Sequence, residues 1–155
     1  SNDQQALSSQ NSQFVGRAIK IHHPEPQDQL PHVTLALLNK YCAVLLYNMG
    51  LACVVMGTSQ TLGKSLSLFD MAYKLGTSSV IQDYTMQRIC MDSLHFAAQL
   101  YHTQSEYGIA EQILHQLRDL ITSLPPTQDT QELNARHQCL IMTIILQKPT
   151  GAPAA

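Results

Sequence analysis

At 155 residues and 45 % apolar composition, the chain is long enough for one domain with a real core. Charged residues reach only 13 %, about half the roughly 25 % usual in soluble domains, so Gln and Ser supply much of the polar surface. A net charge of -2 and a pI near 6.3 leave no basic footprint for nucleic acid, and the weak self-repulsion eases self-association.

The four cysteines, Cys42, Cys53, Cys90 and Cys139, form no CxxC pair and sit in apolar helical patterns, where a free thiol behaves as a small hydrophobe. That spacing argues against a disulfide framework or a zinc site and fits a reducing compartment. Residues 1–13 are rich in Ser, Gln and Asn, with no charged start followed by an apolar run. They read as a disordered arm rather than a signal peptide. The expected setting is intracellular and cytoplasmic, with the organelle left open.

Residues 14–31 are expected to lie extended over the helices. Ala18-Ile19-Lys20-Ile21 alternates, and Pro24 and Pro26 push the residues before them towards extended geometry. Helical periodicity then takes over. Leu35, Leu38, Cys42, Leu45, Leu46, Met49, Cys53 and Met56 recur at steps of three and four, which predicts a helix from about His32 to Met56 with Gly57 as its stop. The stretch from Val33 to Met56 is long enough to span a membrane. Asn39, Lys40 and Asn48 lie within it, however, and a central Lys costs about 2.5–3.5 kcal/mol on insertion, so a buried soluble helix is expected.

Ser59 is placed as the N-cap of a second helix carrying Leu62, Leu66, Phe69, Ala72 and Leu75, stopped by Gly76. A third is predicted over about Val80–His102 and a fourth over about Glu106–Leu124, ended by Pro125-Pro126. A last helix, about Asp129 to Gln147, turns almost wholly apolar from Cys139 to Leu146, and residues 149–155 form a tail. No segment has the period of a strand, so the expected fold is all-α: a helical domain over 32–148, built as hairpins 32–76 and 80–124 plus a last helix at 129–147.

Long and short helices alternate with tight links, which prompts a search for a repeat. Leu94, Ala97, Ala98 and Tyr101 match the first helix of the tetratricopeptide (TPR) consensus, and Tyr107, Ala110, Leu114 and Leu117 match its second at the required spacing. In the earlier hairpin Leu46, Tyr47, Asn48, Met49, Gly50 and Cys53 track the first helix. Ser65, Leu66, Phe69, Ala72 and Leu75 track the second, with three extra residues between the helices. Gly50 falls at the small-residue position where helices touch. With Ala18-Ile19-Lys20-Ile21 upstream and Lys64-Ser65-Leu66 and Ala72-Tyr73 downstream, the chain from Phe14 to Leu124 resembles the elongated TPR-like proteins that recur in algal genomes.

That resemblance implies a short solenoid of stacked antiparallel hairpins with an extended N-terminal segment and a C-terminal capping helix, and it implies a binding role. Carried over by position, the concave stripe would hold Val44, Tyr47, Leu51, Val54 and Val55 on the first hairpin. On the second it would hold Asp92, His95, Gln99, His102 and Thr103. The contacts singled out for a bound peptide or helix are Tyr47, Leu51, Val54, His95, Gln99 and His102. The family's carboxylate-clamp subset uses Lys, Arg and Asn where this chain has Val44, Tyr47 and Leu51, so an acidic chaperone tail is not the expected ligand. The bland alternative is that a neighbouring helix or the N-terminal segment covers the stripe.

His95 and His102, seven residues apart, stand about 10.5 Å apart along a helix, too far for one metal without a third element. They read as solvated groove histidines, and His22-His23 as surface chemistry. Asp70, Asp83, Asp92 and Asp119 read as solvated helix-face charges. No nucleophile stands beside a base and no glycine loop cradles phosphate, so the expectation is no enzyme, no cofactor and no metal site.

The expected function is a non-enzymatic adapter or scaffold module for a protein or peptide partner. The alternative is a self-assembling subunit whose oligomer face would be Leu140, Ile141, Ile144 and Ile145 on the last helix, or else that helix inserts between the earlier ones.

Overall fold

The computed structural model describes residues 18–21 and 34–146, except the side chains at positions 129, 133, 136, 140, 143 and 144. The arm 1–13, the tail 149–155 and most of segment 14–31 lie outside the described residues. The described residues form five helices and no strand: α1 (Leu35–Met56), α2 (Ser59–Ser78), α3 (Tyr84–Thr103), α4 (Tyr107–Ser123) and α5 (Gln128–Leu146). The all-helical class read from periodicity is the class observed.

Local chemistry sets most helix ends. Thr34 accepts a hydrogen bond from the Leu37 amide at 3.3 Å to start α1. Gly57, in the left-handed region at φ 67°, ends it by donating to the Cys53 carbonyl at 3.3 Å. The two-residue link Gly57-Thr58 turns the chain back so that α2 packs along α1. Thr58, rather than Ser59, caps α2: its hydroxyl accepts from the Thr61 amide at 3.2 Å while the Thr61 hydroxyl accepts from the Thr58 amide at 3.0 Å.

α3 begins at Tyr84 rather than near Val80, because Asp83 takes the cap by accepting from the Met86 amide at 3.0 Å. Thr127 and Thr130 make a reciprocal box that starts α5: each hydroxyl accepts from the other's amide, at 3.2 and 2.7 Å.

Two glycines are required by close approach. A Cβ on Gly50 would lie 2.8 Å from the Phe69 ring, so α1 and α2 cross closely there. Gly76 does not stop α2, which continues to Ser78. A Cβ at Gly76 would lie 2.5 Å from Cys90 Sγ, so this glycine admits α3 instead.

α3 is the centre of the molecule. On one side Met86, Ile89, Phe96 and Leu100 join Ala43, Val44, Tyr47, Leu51 and Val54 of α1 and Phe69 and Ala72 of α2. Tyr47, Phe69 and Phe96 form an aromatic cluster with centroids 5.5–6.4 Å apart. On the other side Met91, Leu94 and Ala98 join Leu114, Leu117 and Ile121 of α4 and Ile141 of α5. α5 packs chiefly against α3 and touches α4 much less.

Residues 18–21 lie beside α1 without helical structure. The Ile19 amide donates to Asn48 Oδ1 and the Asn48 side-chain amide donates back to the Ile19 carbonyl, both at 2.8 Å, while Ile19 and Ile21 pack on the first core cluster.

Candidate functional site

The residues assigned to a concave stripe are largely consumed by packing. Tyr47, Leu51 and Val54 are buried between α1 and its neighbours, as is Val44, while Val55 is turned to solvent. His95 is buried rather than solvated, its ring 5.5 Å from Phe96 and 5.6 Å from His137. The reason lies in α3. Helices approach it on every side, so nearly every residue from Met86 to Leu100 finds a neighbour whatever its polarity.

Asp92 likewise is no solvated charge: it is fully buried. Tyr47 donates its hydroxyl to Asp92 Oδ2 at 3.1 Å, and Arg88 Nε donates to the same oxygen at 3.3 Å. His137 Nε2 of α5 lies 3.1 Å from Asp92 Oδ1, an ion-pair distance at which the ring N–H is not well directed along the contact. Three helices are thus tied to one carboxylate. The sequence reading passed over His137. Its four-residue step to Ile141, also buried, was the available signal.

The cleft between α4 and α5 brings an apolar wall and polar side chains together. Because α5 leans on α3, it stands away from the start of α4 and leaves a cavity of about 220 Å3. Ala110, Leu114, Ile141 and Ile145 supply its apolar wall, and His102, Tyr107, Glu111, His115 and Arg118 its polar lining. His102 stacks edge-on against Tyr107 with centroids 5.1 Å apart, and its Nε2 is buried without a hydrogen-bond partner among the described residues. Burial holds the His102 imidazole below its usual pKa, so it is biased towards the neutral form, able to accept as well as donate. Gln99, half-buried, lies one turn before it with Oε1 also unpartnered among the described residues.

Ile141, assigned to an oligomer face, is buried within the chain and so unavailable as a seam. Ile145 is half-exposed at the cleft, and the side chains of Leu140 and Ile144 lie outside the described residues.

A second groove of about 330 Å3 opens on the far side, over Phe69, Tyr73, Leu94, Ala97 and Ile113. Its rim charges, Lys74 and Asp70, neutralise each other at 2.7 Å.

Cys90 is buried beside Gly76, and desolvation pushes its thiol up to about 11. Cys42 and Cys53 are half-buried, whereas Cys139 is exposed rather than packed. Asp83 feels burial raising its pKa, but the Lys40 ammonium bonded to it and the Met86 amide outweigh that and hold it below the usual carboxylate range. Among the described residues, no group of three or more His, Cys, Asp or Glu side chains is arranged to hold a metal ion.

No protein-family model, no curated protein and no solved structure matches this chain.

Proposed function

We propose that this chain is a non-enzymatic interaction module of TPR-like type, and that it takes a peptide or helix partner in the cleft between α3, α4 and α5. The observation that carries the reading is the lean of α5 onto α3, which leaves an apolar wall beside His102 Nε2, unpartnered among the described residues. The TPR-like resemblance of the two hairpins supports the same class. The partner surface is displaced from the stripe first expected, because α3 spends Tyr47, Leu51, Val54 and His95 on packing. Of the six expected contacts, His102 reaches the cleft and Gln99 stands next to it.

The mechanism is preorganised docking. A single apolar side chain of the ligand seats against Ala110, Leu114, Ile141 and Ile145, and the polar lining hydrogen-bonds the ligand backbone. Helices hold these groups in place, so little ordering cost falls on the protein. The chain's self-assembly through α5 is the second reading. Of the residues assigned to that face it keeps Ile145 and loses Ile141, and Met142 and Leu146 beside them are exposed as well.

The test is selection from a displayed peptide library, followed by titration of the recovered peptide into wild type and into Ile145→Asp/Arg118→Glu. Both positions are exposed enough for the fold to survive, which circular dichroism checks. Loss of binding of at least tenfold in a folded variant is expected. Unchanged affinity would remove the cleft from consideration.

A further inference from the structure

α1 is apolar on two opposite faces, and one of them is uncovered. At about 100° per residue, Leu38, Leu45, Met49 and Met56 fall within about 40° of one another, opposite the buried face of Ala43, Tyr47, Gly50 and Val54. Those four are 48, 50, 54 and 66 % exposed. Cys42 and Cys53 flank them on one edge, Ala52 on the other, and the strip carries no charge. A helix apolar on both faces is covered by protein or by lipid, and this face has no cover among the described residues.

We propose that the partner is a second copy of the same chain, docked with its α1 antiparallel to this one. The first argument is the spacing of the strip, which is nearly symmetric about Tyr47. A two-fold axis at that level sets Leu38 of one chain against Met56 of the other and Leu45 against Met49, so that the same patch completes itself. Cys42 stands about 7.5 Å before the axis and Cys53 about 9 Å after it, on the same edge of the strip. Each Cys42 therefore faces the second copy's Cys53 within about 1.5 Å of height.

The second argument is charge and composition. α1 holds one charged residue, Lys40, already bonded to Asp83, and the chain's net charge is only -2, so a copy meets little repulsion. A lipid surface is disfavoured for the same reason, since interfacial helices carry a row of Lys or Arg beside the apolar face. The parts of the chain outside the described residues are rich in Ser, Gln, His and Pro. Their larger apolar residues are Leu7, Phe14, Val15, Leu30 and Val33, too scattered to match a continuous strip. The strip is about 27 Å long, at the small end of specific interfaces, so the dimer forms with rising concentration rather than permanently.

Sedimentation across a hundredfold range of full-length chain, with mild copper–phenanthroline oxidation in air, tests this. Two thiols then lose two protons and two electrons to dioxygen and join as one disulfide. The expected result is a shift from monomer to dimer mass, and a covalent dimer on a non-reducing gel. That dimer is lost in either Cys42→Ser or Cys53→Ser and kept in Cys139→Ser. Leu45→Glu/Met49→Glu should stay monomeric with unchanged helicity. A monomer throughout overturns the proposal, as does a cross-link that survives Cys53→Ser in a Cys139→Ser background, since that is a parallel pair. So does a dimer abolished by Ile145→Asp but not by the double glutamate, or a chain that floats with phosphatidylcholine vesicles and never dimerises.

Discussion

At the scale of single residues, the molecule turns on how one carboxylate is satisfied in its interior. Asp92 is held by Tyr47 from α1, by Arg88 one turn before it and by the nearness of His137 from α5. A buried charge deprived of a partner retains its desolvation cost, so the loss exceeds that of an exposed bond. Tyr47→Phe keeps the ring and its packing against Phe69 and Phe96 while removing one donor. Urea unfolding of that variant is expected to show a loss of about 2 kcal/mol, the range for a hydrogen bond to a charged group. A change under about 0.5 kcal/mol would mean that the phenol does not support the carboxylate.

The glycines make a related point. Gly50 and Gly76 are defined by what sits opposite them, the Phe69 ring and Cys90 Sγ. At Gly50 the resemblance to a repeat had already suggested a close crossing. Gly76 read as a helix stop, because a glycine near the end of an apolar run looks the same whether it ends the helix or admits a neighbour.

Among the elements, the helices themselves were legible, and their starts less so. The runs of apolar residues at three and four residue steps located all five helices, since that period follows from the geometry of the α-helix alone. Starts moved by one to four residues where a side chain other than the expected one won the free amides, as Thr58 did over Ser59 and Asp83 over the residues before it. The short stretch at residues 18–21 is attached to α1 by one side chain, Asn48, which satisfies both backbone groups of Ile19. In Asn48→Ala the Ile19 amide loses its acceptor. Hydrogen exchange should then show that amide losing most of its protection while the amides of α3 are unchanged. Equal protection in both proteins would show that packing of Ile19 and Ile21 suffices to hold the segment.

For the whole molecule, acid sensitivity sums over groups whose environment differs from water. The folded state keeps His102 neutral by burial, so the unfolded chain takes up a proton first. Stability contributed by the neutral form is present above about pH 6.5 and falls as pH drops towards the lowered folded value. Asp83 works in the acid range. Its folded pKa is lowered, so its contribution is present above about pH 3.8 and is lost as pH falls through the folded value. Thermal melts from pH 8 to 3 should therefore fall in two steps. His102→Phe should flatten the first and leave the second in place. If the first step survives that substitution, another histidine governs it.

The sequence by itself determined the all-helical class, the number and rough limits of the helices, and a body with little charge and much apolar surface, because periodicity and composition are local properties. It also singled out three candidate-site residues that line the α4–α5 cleft, His102, Ile141 and Ile145, though for different roles. Tertiary structure alone decided which polar residues lie inside. Asp92 and His95 have nothing unusual about them on a helical wheel, and they are buried because α3 is enclosed by the other helices, while His137 is buried where α5 packs on α3. It decided equally that Ile141 packs inward while the outer face of α1 stays open. Which of several apolar faces finds a neighbour depends on where helices distant in sequence come to rest, and a helix cannot encode that in its own period.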